Sequence, residues 1–210
     1  MAAKIDAKEV IENIIFEIEK NKGWLSEIDG AIGDGDHGVN MAKGFGMVKE
    51  KLAEAADALS ELLNMTGMTL LTNIGGTIGP IYGTFFMRMG KAVKGKETIE
   101  ENDILDMLEG ALEGVKKRGG ADIGDKTLVD TLETAKEGYK NAVKEGKDIH
   151  GAIDKMIEAA KEGMESTKEL VAKKGRSSRL GERSKGTIDA GAASCYIILK
   201  TIGESLKKYL

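Results

Sequence analysis

Several things are scarce in this sequence, and each scarcity excludes something. There is one cysteine in 210 residues, Cys195, so no internal disulfide framework exists and a reducing cytoplasm is the expected setting. There is one proline, Pro80, placed where it can start a helix after a glycine elbow. Alternating β-branched residues bounded by turns, the mark of strands, are missing. No block of Lys or Arg stands clear of acidic neighbours and the net charge is −4, so no nucleic-acid partner is expected. The N-terminus alternates charged and apolar residues without a secretory core, so no export signal is visible. One run, Leu62 to Met87, lacks charge, but Asn64, Asn73, several Thr and the break at Gly75–Pro80 interrupt it. Two buried helices joined by an elbow explain that run better than a membrane span.

What the chain does have is helical spacing nearly throughout. Val10, Ile11, Ile14, Ile15 and Ile18 form one stripe behind a predicted N-cap at Asp6. Further stripes run through Ile104–Val115, Leu128–Ala142, Ile149–Met164 and Cys195–Leu206. With the stretch after Gly38 and the two halves of the uncharged run, these predict about eight helices in one all-α domain spanning residues 1–210. Short connections make neighbouring helices antiparallel. The Gly-rich connections 23–38, 75–80, 118–126 and 174–191 follow the first, third, fifth and seventh helices, so they share one end. A site assembled from those loops is the expectation.

The densest chemistry lies in Glu27–Gly46, where Asp29, Asp34 and Asp36 stand among glycines. Three carboxylates so close repel unless a cation sits between them, and an all-oxygen set suits magnesium or calcium rather than zinc. Metal held by aspartates at a turn entering a helix points to phosphate handling. Gly33–Gly38 formally matches G-x-G-x-x-G, but no strand precedes it and its aspartates would repel a bare pyrophosphate. An EF-hand fails because no glutamate follows at the twelfth position. A phosphatase-type D-x-D lacks its strand. The P-loop-like Gly119–Thr127 has one residue too many; Asp125 and Thr127 read as an N-cap and first turn, though such a loop can still line a nucleotide pocket. Arg176, Arg179 and Arg183 suit either solvated ion pairs or bidentate bonds to phosphate. His37 is open as a ligand, a base or a packing residue, while His150 and Cys195 read as structural.

Taken together, Asp-Gly-x-x-Gly-Asp-Gly-Asp-His-Gly-x-Asn from Asp29, Gly-Gly-x-x-Gly-Pro from Gly75, Arg-Gly-x-Ala-x-x-Gly-Asp-Lys-Thr from Arg118 and Gly-Arg-x-Ser-x-Leu-Gly-Glu-Arg-Ser from Gly175 resemble the nucleotide-binding unit of dihydroxyacetone kinases, in its free-standing DhaL form. The resemblance spans essentially the whole chain. It implies a closed barrel of eight antiparallel helices with a nucleotide, ADP or ATP, and two Mg2+ ions at one end. It implies that Asp29, Asp34 and Asp36 hold the metals and carry catalysis. By the same resemblance His37, Gly38, Val39 and Asn40 contact the nucleotide phosphates, and Thr77, Ile78 and Gly79 form a second phosphate-side loop. Gly119 and Leu128 lie around the base, Arg176 lies beside the nucleotide, and Asp189 and Gly191 approach it. The chain departs from the family at Ala190, where proline is usual, and at Thr77, Ile78, Leu128 and Arg179; no departure removes a metal ligand.

No residue offers an obvious base for a sugar hydroxyl. The resemblance implies that the substrate sits on a separate DhaK-like subunit and that a DhaM-like phosphohistidine protein recharges bound ADP. An exchangeable ATP donor with a small ketose acceptor, or a metal-dependent nucleotide-binding regulatory module, are the alternatives.

Overall fold

The computed structural model describes residues 4–210. Among them are nine α-helices: α1 (Ala7–Lys20), α2 (Lys22–Ile32), α3 (His37–Leu52), α4 (Leu59–Asn73), α5 (Ile78–Ala92), α6 (Glu101–Gly119), α7 (Leu128–Lys144), α8 (Ile149–Ser166) and α9 (Ala190–Leu206). Two 3-10 stretches, Thr167–Glu169 and Arg176–Ser184, lie between α8 and α9, and the described residues contain no strand. No helix among them is long and apolar enough to cross a membrane.

Local chemistry sets the starts of these helices. Asp6 caps α1 by accepting from the Glu9 amide at 3.0 Å, and Asp148 caps α8 through Gly151 at 2.8 Å. Thr127 and Asp130 form a reciprocal capping box on α7. This corrects the expectation for Asp125: Thr127 is the N-cap, and Asp125 instead accepts from the Asp122 amide in the preceding loop.

Eight helices close a ring. α1 packs on α3, α3 on α4, and each helix then packs on its successor until α9 returns to α1. The stripes seen in the sequence line the interior, with Ile14, Ile18, Phe45, Phe85, Phe86, Leu132 and Ile198 fully shielded from water. Phe86 sits edge-on to Phe45 and Phe85, with centroids 5.8 and 5.1 Å apart.

The ninth helix, α2, corrects the expected loop at 23–38. Only residues 33–36 are non-helical there, and α2 lies against α3, α9 and the Arg176–Ser184 segment. It escaped notice because it buries only Leu25 and Ile32, and Gly23 and Gly30 dilute its pattern. Because α2 stands outside the ring and scarcely packs on α1, it belongs to the junction between α1 and α3 and does not alter which junctions share an end.

Candidate functional site

Asp29 projects from the last turn of α2, while Asp34 and Asp36 occupy the link to α3. Glycine makes that link possible. A Cβ at Gly33 would lie 2.8 Å from Asp29 Oδ1, and one at Gly38 would fall 2.0 Å from the Lys22 carbonyl. Only bare backbone lets the chain fold back this tightly. The three aspartates each offer a carboxylate oxygen, and these oxygens all lie within 4.8 Å of one another. Asp29 also accepts from the His37 amide at 3.2 Å, which fixes its carboxylate against the start of α3. Asp34 and Asp36 are half-exposed, so ions and phosphates have access. The Arg176 guanidinium contacts Asp34 and lies 3.5 Å from Asp36, bringing a positive group to the carboxylates.

His37 points the other way. Its side chain is buried, with Nε2 2.8 Å from Ser194 Oγ. Burial holds its pKa down at about 4, although the Asp29 carboxylate pulls upward. Of the roles left open for it, packing against Ser194 is the one its side chain fills in this structure. Ser194 also meets the Tyr82 hydroxyl at 2.5 Å, and Tyr82 donates to the Gly191 carbonyl at 3.0 Å. This chain ties the starts of α3, α5 and α9 together beneath the aspartates.

The other expected residues gather at the same end. Neither N-cap residue, Asp36 of α3 or Thr77 of α5, caps its helix with its side chain; Asp29 takes the His37 amide, and the amides at Gly38 and Val39, and at Ile78 and Gly79, carry no side-chain acceptor. Such helix starts attract anions. Asn40 is already within α3, its amide donating to Asp36 at 2.9 Å. Thr77 is exposed, whereas Gly79 is packed so closely that a Cβ would meet the Ile74 carbonyl at 2.0 Å. Gly119 faces Ile81 of α5, and Gly191 lies against Leu128. Asp189 caps α9 through the Ala192 amide at 2.8 Å, and burial raises its pKa to about 6.

Tyr82, Ser194 and Lys126 were missed as site-building residues. Tyr82 and Ser194 lie in apolar stretches with nothing to distinguish them from core. Lys126 did carry a signal, as a charged residue in the Gly124-Asp125-Lys126-Thr127 motif. Its side chain is buried and donates to the Thr167 and Thr187 carbonyls.

Residues 31–204 match a family model described as the DAK2 domain. This chain belongs to that family. The DAK2 chain is 37% identical over 202 residues to the ADP-binding subunit DhaL of PEP-dependent dihydroxyacetone kinase 2 from Listeria innocua, covering 95% of this chain and 93% of the relative. It is 36% identical over 195 residues to the ADP-binding subunit DhaL of the PEP-dependent dihydroxyacetone kinase from Escherichia coli, covering 92% of each. The DAK2 fold also matches the solved dihydroxyacetone kinase of C. freundii in complex with AMP-PNP and Mg2+. That match has a TM-score of 0.71 at 23% identity and covers 95% of this chain but only 33% of the other.

Proposed function

We propose that this chain, over residues 1–210, is the ADP-binding DhaL subunit of a cytoplasmic dihydroxyacetone kinase. A separate DhaK-like subunit holds the dihydroxyacetone, and a DhaM-like phosphohistidine protein recharges the nucleotide. The observation that carries this reading is the convergence of three carboxylates with two helix starts whose N-cap side chains leave first-turn amides free, at one end of the ring. Its relatives' names as ADP-binding DhaL subunits, at 36–37% identity over nearly their whole length, support it.

The donor set fits magnesium: all ligands are oxygens, they are close, and they remain reachable from water. Asp29, Asp34 and Asp36 would hold two Mg2+ ions, which when bound neutralise charge on the phosphate oxygens in a loose transition state. The chain's own part is alignment. The amides opening α3 at Gly38 and Val39, and those opening α5 at Ile78 and Gly79, orient the remaining phosphate oxygens, while Asn40 sits one residue behind the first pair. Thr77 stands at the mouth, and Arg176, at the aspartates, lies beside the nucleotide. Gly119 and Leu128 border the base, and the turn with Asp189 and Gly191 approaches the nucleotide. His37 stays neutral and tied to Ser194, so it holds the floor rigid and takes no proton from the substrate. Activation of the acceptor hydroxyl then falls to the partner subunit.

Calorimetric titration of ADP with and without Mg2+ tests the site. Nucleotide affinity should require the metal, and Asp34→Ala should remove both that affinity and phosphoryl transfer to dihydroxyacetone on the partner. Metal-independent ADP binding, or normal transfer by the variant, would overturn the assignment.

A further inference from the structure

The outer face of α5 carries a second feature, remote from the aspartates in character and composition. Glycines let α5 sink between its neighbours. A Cβ at Gly67 of α4 would lie 2.6 Å from the Gly83 carbonyl, one at Gly90 would lie 2.8 Å from the Ser60 carbonyl, and one at Gly114 of α6 would lie 2.9 Å from Thr84 Cγ2. The sunken helix leaves an open trough of about 890 Å³. Arg88, Lys91, Lys94, Lys96 and Arg118 line it, against only Glu61 and Glu97.

The cations there are largely unanswered. Lys96 pairs with Asp103, but Arg88, Lys91, Lys94 and Arg118 make no ion pair among the described residues. Arg118 is held on the wall by a 3.2 Å bond from its Nε to Thr84 Oγ1. Arg88 and Lys91 are one helical turn apart on α5, and Lys94 continues the stripe just past its end. From Arg118, beside Thr84, to Lys94 the row is about 15 Å long. One phosphate group cannot satisfy a row of that length. A single-stranded nucleic acid would find no aromatic side chain along the trough on which to stack its bases. An extended carboxylate-rich strand or helix matches both the spacing and the sign.

We propose that this trough docks an acidic, Asp- and Glu-rich segment of a partner protein. None of its residues belongs to the aspartate cluster; Arg118 adjoins Gly119 of the nucleotide reading, so the test rests on Arg88, Lys91 and Lys94.

The test uses the full chain and a fluorescently labelled oligoglutamate peptide, followed by anisotropy at low salt. Saturable binding is expected. The triple variant Arg88→Glu/Lys91→Glu/Lys94→Glu should weaken it about tenfold or more. The variant Lys147→Glu/Lys155→Glu/Lys161→Glu, with the same change in net charge on and before α8, should stay within about twofold of the parent. Circular dichroism checks that each variant folds; should the reversal fail to fold, Arg88→Gln/Lys91→Gln/Lys94→Gln replaces it, with a loss of about fivefold or more expected. Three results would each overturn the proposal: no saturable binding, equal loss in both charge-reversed triples, or displacement by tripolyphosphate binding more tightly than the peptide. The last would mark the trough as a small-polyanion site.

Discussion

Lys126 shows how much a single residue can carry at the functional end. It is almost wholly buried, and its backbone takes φ +60°, a left-handed conformation that costs a non-glycine residue about 1 kcal/mol or more. The side chain offsets this by donating to the carbonyls of Thr167 and Thr187, which belong to the long connection before α9. Burial lowers the lysine pKa, and the nearby Asp189 carboxylate opposes that shift. Lys126→Met would leave two carbonyls without their donor, and a loss of about 2 kcal/mol in denaturant unfolding is expected. Asp189 makes the complementary prediction. Its folded carboxyl titrates near 6 against an ordinary 3.8, because burial disfavours its charge. The folded chain therefore keeps a proton that the unfolded chain has already released. This contribution to stability is full below 3.8 and is lost as pH rises through about 6, opposite to the usual behaviour of a paired carboxylate. Asp189→Asn keeps a capping oxygen and removes the titration. Between those pH values the variant should avoid a fall of about 1–2 kcal/mol seen in the parent, measured by urea unfolding at each pH.

At the scale of helices and loops, glycine divides into two kinds that the sequence does not distinguish. Gly67 is a packing glycine, its missing Cβ admitting the Gly83 carbonyl at 2.6 Å. Gly46 lies in α3 with nothing within 4 Å of where a Cβ would stand. Gly67→Ala should destabilise by about 2 kcal/mol through overpacking, whereas Gly46→Ala should stabilise by about 0.5–1 kcal/mol through helix propensity. Thermal unfolding of the pair checks both signs. The same distinction explains what could be read in advance. Stripes such as Val10–Ile18 and Leu128–Ala142 reveal their helices because burial follows a helical period over several turns. α2 stayed hidden because its burial rests on two residues and its glycines read as loop. The aspartates were legible because carboxylate and glycine density is a local property. The inward turn of His37 was not, since it depends on Ser194, 157 positions away. Nor was the Arg176 contact with Asp34, which needs the fold to bring α2 and the Arg176–Ser184 segment together.

Across the whole molecule the two ends of the ring differ in kind. One end collects the junction between α1 and α3, which includes α2, and those after α4, α6 and α8. Buried and part-buried bonds cross between them: His37 to Ser194, Tyr82 to Gly191, Thr131 to Ala192 and Lys126 to Thr187. The other end consists of the turns at 53–58, 93–100 and 145–148, whose residues are mostly exposed and half of them charged. Binding at the aspartates should therefore be felt by four junctions at once and little at the far turns. Mg2+ with ADP at about a hundredfold above its dissociation constant should raise global stability by about 2.7 kcal/mol, since the unfolded chain has no assembled cluster to bind them. Asp36→Ala should abolish that gain. Its ligand-free unfolding midpoint should correspond to a stability within about 0.5 kcal/mol of the parent, because the half-exposed Asp36 makes only a 3.5 Å ion pair with Arg176. Hydrogen exchange separates this from general tightening. Protection should rise at residues 33–40, 77–82, 119–128 and 184–191 and stay level at the three far turns. A uniform rise over both ends would mean that the ligand acts on the ring as a whole rather than through the cross-linked end.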